Sequence, residues 1–289
     1  MKPMKRALLS TSIHLTSVIA CIAIMLGSTY AHAEEENECG ARARQIVEHA
    51  YPTAQSADEN TLLFIGDSIS LPNSKYLYEP HVMVCKQWPA DSTKLLVAVP
   101  LMRDSEPGGY DNTGDLDILV LENDTLRVLQ RYRAKGLMSD DAIGITDIRF
   151  DTARYHLAPG KTAFGVRIHY RGASRVNPYY ASTLRLYLLE KDQLKPVLDN
   201  IVVDQGGGEW DGRCAGEFHS TKRILSIAPD MHHGLALITV KETSESSVSK
   251  AMPDDKCLES ELHTNTRKTT LTYDGNVYRV PKRMKWFED

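Results

Sequence analysis

Apolar residues recur along this chain at two spacings, and the change from one to the other comes early. Between Cys39 and Tyr51, Ala41, Ile46, Val47 and Ala50 share one face of a helix. Arg42, Arg44 and Glu48 point away, and Pro52 ends the segment. After that the period falls to two. Phe164, Val166, Ile168 and Tyr170 alternate with Gly165, Arg167, His169 and Arg171, and Leu184, Leu186 and Leu188 continue the pattern after a loop. That alternation marks strands with one wet face. Asn123-Asp124 separates apolar runs at 116–121 and 126–132. Asp274-Gly275, a two-residue hairpin signal, separates 270–273 from 277–280.

The expected strands fall into three loosely similar units. They are 82–88, 94–101, 116–122 and 126–132; then 145–150, 163–170, 183–189 and 194–203; then 223–228, 235–241, 268–273 and 277–280. The segment at 120–126 echoes that at 188–194. The expectation is an all-β, mainly antiparallel fold with one short N-terminal helix. About three four-stranded units would form either a propeller-like array or a large sandwich. Residues 1–33 read as a signal peptide, 34–80 as a helix and short hairpin, and 81–289 as the β-rich domain.

The leader follows from Lys2, Lys5 and Arg6, an apolar stretch densest at 18–26, and Ala31-His32-Ala33 at the cleavage position. The dense stretch is too short to span a bilayer. Val18-Ile19-Ala20-Cys21 resembles a lipoprotein processing site, which would make Cys21 a lipidated residue. Soluble export to the periplasm or beyond is the favoured expectation. Without Lys2, Lys5 and Arg6, the 34 basic residues fall to 31 against 38 acidic ones, a net charge of −7. No basic patch points to nucleic acid. Four cysteines remain, Cys39, Cys85, Cys214 and Cys257, an even number that suits two disulfides in an oxidising compartment. Three pairings are open. Cys39–Cys85 with Cys214–Cys257 is preferred, because each then clips a separate half of the chain.

Phe64-Ile65-Gly66-Asp67-Ser68-Ile69-Ser70 resembles the first block of the GDSL (SGNH) esterases and lipases. Asn123-Asp124 and Asp230-Met231-His232-His233 follow in that family's order. The resemblance implies Ser68 as nucleophile, Asn123 as an oxyanion donor, and His233 as general base oriented by Asp230. Glu122 stands where the family has Gly, and the family is α/β whereas this chain reads as strand after strand. The preferred reading makes Gly66-Asp67 a turn between two short strands.

Asp111, Asp115 and Asp117 gather carboxylates around Gly114, as calcium loops do, and this stretch resembles the Asp-rich loop of FG-GAP propeller repeats. It lacks the spacing of either motif, so a solvated turn is favoured. Gln205 to Cys214 reads as a glycine-rich loop tied down by Cys214. Trp210, flanked by Glu209, Asp211 and Arg213, is a candidate for stacking on a sugar or receiving a partner's side chain. Tyr179 and Tyr180 are candidates for the same surface. His232 and His233 read as a hairpin turn rather than a metal site. No cofactor is expected. The expectation is an exported, non-catalytic binding protein for an envelope protein or glycan, with inhibition of a secreted enzyme as one version and the Ser68 esterase as the alternative.

Overall fold

A computed structural model describes residues 37–72, 80–103, 112–191, 193–253, 256–259 and 262–286. The leader, Cys21 and Asp111 lie outside them. Helix α1 (Ala43–Ala50) buries Ala43, Ile46, Val47 and Ala50, the i, i+3, i+4, i+7 stripe of an amphipathic helix. Ala41 sits in the 3-10 turn before it (Gly40–Arg42) and is exposed, so Ala43 takes its place on the stripe.

The first sheet contains β1 (Gln55–Ser56), β2 (Thr61–Phe64), β3 (Asp67–Ser70), β4 (Val84–Gln87), β5 (Lys94–Arg103), β6 (Asn112–Glu122) and β7 (Val128–Asp140), all antiparallel neighbours. Strands β5 and β6 are apolar on both faces because both are covered. Leu95, Val97, Val99 and Leu101 of β5, with Leu119 and Leu121 of β6, pack with α1. Leu96, Ala98, Leu116, Ile118 and Val120 face the other way, into a core shared with the second sheet.

That second sheet runs through β8 (Ile143–Ala158), β9 (Lys161–Gly172), β10 (Tyr179–Leu189), β11 (Leu194–Trp210), β12 (Gly216–His232) and β13 (Leu235–Ala251). β14 (Cys257–Glu259) and β15 (His263–Leu271) pair with successive stretches of β13. Phe164, Val166, Ile168 and Tyr170 of β9 meet the first sheet. Leu184, Leu186 and Leu188 of β10 belong to a third core with Val240 of β13 and Tyr155 and Leu157 of β8. Sheet thus packs on sheet, and the architecture is a sandwich.

The expected second and third units run into one sheet, because β11 pairs directly with β12. A propeller would keep them as separate blades. Residues 277–280 form no strand. A Tyr273–Tyr278 bridge remains, with the Asp274 amide donating to Val277 and the Arg279 amide to Thr272, while the Tyr278 amide donates to Val197. The distal halves of β11, β12 and β13 extend past the core as an arm, where few side chains are buried. Both preferred disulfides are present. Cys39–Cys85 fastens the start of the helical segment to β4, and Cys214–Cys257 fastens the tip of the arm. Among the described residues no helix is long and apolar enough to cross a membrane.

Candidate functional site

The glycine-rich stretch is not a loop. Gly206, Gly207 and Gly208 lie within β11, paired with Ser220, His219 and Phe218 of β12. The glycines are required by close approach rather than by turning. A Cβ on Gly206 would lie 2.6 Å from the Tyr180 ring, and one on Gly208 would lie 2.4 Å from the Glu217 carbonyl oxygen and 2.6 Å from the Phe218 ring. Aromatic side chains from β10 and β12 occupy the space that a side chain on β11 would need. The turn itself is only 211–215. Asp211 closes it by accepting, on one carboxylate oxygen, the amides of Arg213, Cys214 and Ala215 at 2.8–3.1 Å. Those bonds hold its carboxyl below the usual range.

Beside this turn the chain before β10 runs along the end of β11. The Gly208 amide donates to Pro178 and the Trp210 amide to Val176, at 3.1 and 3.0 Å. The Trp210 indole donates to the Arg175 carbonyl at 2.7 Å, and its ring lies against Phe218. A groove of about 960 Å³ results, lined among others by Tyr179, Glu209, Trp210, Glu217, His219 and Val248. Burial raises the Tyr179 phenol.

Of the six expected binding residues, Trp210, Glu209, Asp211 and Tyr179 line this groove. Arg213 is exposed on the tip, and Tyr180 lines a different pocket. Glu217 and His219, which were not among those six, come from β12 and are brought in by register. Glu209 and Glu217 are direct cross-strand partners. Like charges in that position destabilise a sheet, and both are exposed with no ion pair among the described residues.

The other candidates are dispersed. Ile65 and Gly66, both at positive φ, form the tight turn between β2 and β3. The turn therefore falls one residue earlier than Gly66-Asp67. Ser68 is a strand residue whose hydroxyl donates to the Met102 carbonyl at 3.2 Å. Asn123 lies beside Thr93, beyond the opposite end of β5, and accepts from Arg42. The span from Met102 to Thr93 is roughly 30 Å at the rise of an extended strand. His233, with Asp230 at the end of β12, occupies the β12–β13 turn of the other sheet. The structure does not bring Ser68 and Asn123 together.

Asp115 and Asp117 are not in a solvated turn but buried in β6, and arginines occupy their oxygens. Asp117 is 0% exposed and accepts from Arg133 at 2.6 and 2.9 Å and from the Tyr51 hydroxyl at 2.9 Å. Burial and the neighbouring Asp117 push the Tyr51 phenol far up. Asp115 accepts from Arg103 and from the Gly136 amide. Burial raises its carboxyl, but those partners outweigh the effect and hold it below the ordinary 3.8. No protein-family model, curated protein or solved structure matches the chain.

Proposed function

We propose that this chain is an exported binding protein that receives a basic segment of a partner protein in the groove beside the arm. The leader pattern at 1–33 and the two disulfides support export. The observation that carries the binding reading is the Glu209–Glu217 rung, two acidic residues paired by strand register on the groove wall with no ion pair among the described residues. A lysine or arginine entering beside them meets two negative charges at once, which favours association with a basic segment. Trp210 and Tyr179 supply aromatic walls of the kind that anchor interfaces. The turn at Ile65-Gly66 and the hydrogen bond from Ser68 to Met102 leave the esterase reading without a supporting observation.

The test is affinity capture from envelope extract with the mature, disulfide-intact protein and its Glu209→Lys/Glu217→Lys variant. Retention of a polypeptide with a basic segment by the parent, and its loss in the variant, is the expected result. Equal retention by both, or retention of glycan alone, would contradict the reading.

A further inference from the structure

The two disulfides stand in opposite settings. Cys39 and Cys85 are 1% and 2% exposed, within the core beside α1. Cys257 is exposed on β14, the short strand at the edge of the arm, and its partner Cys214 is half-buried in the 211–215 turn. A reductant must bring a thiolate up to a disulfide sulfur, so access decides which pair it opens. Exposed disulfides are the labile ones, and buried structural ones resist reduction.

What the exposed pair holds is the end of the groove. There Trp210 of β11 pairs with Gly216 of β12, Gly216 with Ser249 of β13, and Ser249 with Glu259 of β14. This is the last rung of β11 and β12, and the Glu209–Glu217 rung lies one step before it. Terminal rungs open easily unless something fixes them. Among the described residues β14 pairs only with Ser249, Lys250 and Ala251, and three residues of pairing make a weak clamp. The Cys214–Cys257 bond ties that strand back to the turn. Asp211, Ala215, Gly216, Val248 and Ser249, the residues around this crosslink, all line the groove.

We infer that Cys214–Cys257 is a redox site for a protein dithiol, and that its reduction releases β14 and loosens the groove wall carrying Trp210 and Glu217. A thiolate of the dithiol attacks the exposed Cys257 sulfur, forming a mixed disulfide and expelling Cys214 as a thiolate, which takes up a proton. The second thiol of the dithiol then attacks its own half of the mixed disulfide. That step closes the partner's disulfide and releases Cys257 as a thiol. Two electrons and two protons pass from the dithiol to the pair. Cys39–Cys85 stays closed, so the core is kept. That a loosened wall weakens binding of a basic segment rests on the function proposed above, whereas the reduction itself does not.

The test exposes the full mature, disulfide-intact protein to reduced thioredoxin as the dithiol. Free thiols are mass-tagged and mapped by peptide, and amide exchange is followed on the same samples. Cys214 and Cys257 are expected to take up the tag about tenfold faster than Cys39 and Cys85, or more. A thioredoxin variant lacking its second cysteine is expected to be trapped on Cys257. Amides of 208–210 and 215–217 should exchange faster after reduction, and equally fast in Cys214→Ser/Cys257→Ser, with β5 and β6 unchanged. Opening of both pairs together, trapping on Cys39 or Cys85, or unchanged exchange within 208–217 would overturn the inference. Fluorescent octalysine separates this result from the groove reading. It is expected to bind the reduced protein about tenfold more weakly than the oxidised one. Equal binding to both would overturn the coupling between redox state and groove. Binding to neither form would count against the groove reading alone, because tagging and exchange decide the redox site without it.

Discussion

Asp117 shows how much of this fold rests on single side chains. Its carboxylate lies under Tyr51 at the end of α1 and is held by Arg133 and Arg131, so it joins the helix, β6 and β7 in one polar knot. Breaking a fully buried pair from one side costs about 3–5 kcal/mol, and the partial exposure of Arg131 and Arg133 lets water compensate some of that. Asp117→Asn is therefore expected to lower the urea-unfolding free energy by about 1–3 kcal/mol, and no loss would contradict the arrangement. Ile65 presents the opposite case. It is 84% exposed and held at φ 53°, where a β-branched residue is strained. Ile65→Asn should stabilise by about 0.5–1 kcal/mol, because Asn-Gly is the preferred pair for such a turn. Glu242 adds a dependence on pH. Burial raises its carboxyl, but Arg223 and Arg283 outweigh that and hold it below its ordinary 4.5. Its contribution is complete above that pH and is lost as pH falls through the lower folded value. Glu242→Gln should be less stable than the parent at pH 7, and the gap should close in acid. A gap unchanged between pH 7 and pH 3 would show that the ion pairs contribute nothing.

Elements were legible in the sequence where a local pattern carries the information. The helix stripe, the alternation in β9 and β10, and the cysteine count all mark structures that their own residues determine. The run Gly206-Gly207-Gly208 misleads for a physical reason. Nothing local tells a strand glycine from a loop glycine when the rings that require it, Tyr180 and Phe218, arrive from neighbouring strands. The same holds for Glu217 beside Glu209, which only register brings together. The two disulfides also act on different elements. Cys39 and Cys85 are buried beside α1, whereas Cys257 is exposed on the arm. In the chain-entropy model either loop, with separations of 46 and 43 residues, contributes about 4 kcal/mol. Local and global stability separate when a crosslink lies outside the core. Replacing Cys214 and Cys257 by Ser should speed hydrogen exchange and proteolysis within 205–222, 243–251 and 263–267 well before it affects the amides of β5 and β6. Replacing Cys39 and Cys85 should lower protection throughout the first sheet. Equal global loss in both variants would contradict this division.

On the scale of the whole molecule, the two sheets place a packed core behind an arm where few side chains are buried. Sites of this kind are commonly carried by extensions from a fixed scaffold. The all-β class was legible from the period of two, but the choice between propeller and sandwich was not. It depends on whether β11 pairs with β12, and that contact leaves no mark in local spacing. The account rests on the groove between 176–179 and β12 being an occupied surface. The most direct measurement is site-specific photocrosslinking in envelope extract, with the photoreactive residue at His219 in one protein and at Lys161, exposed at the start of β9, in another. The account predicts a discrete polypeptide adduct from position 219, lost when Glu209 and Glu217 are reversed to Lys, and none from position 161. The same products from both positions, or no adduct from 219, would contradict it.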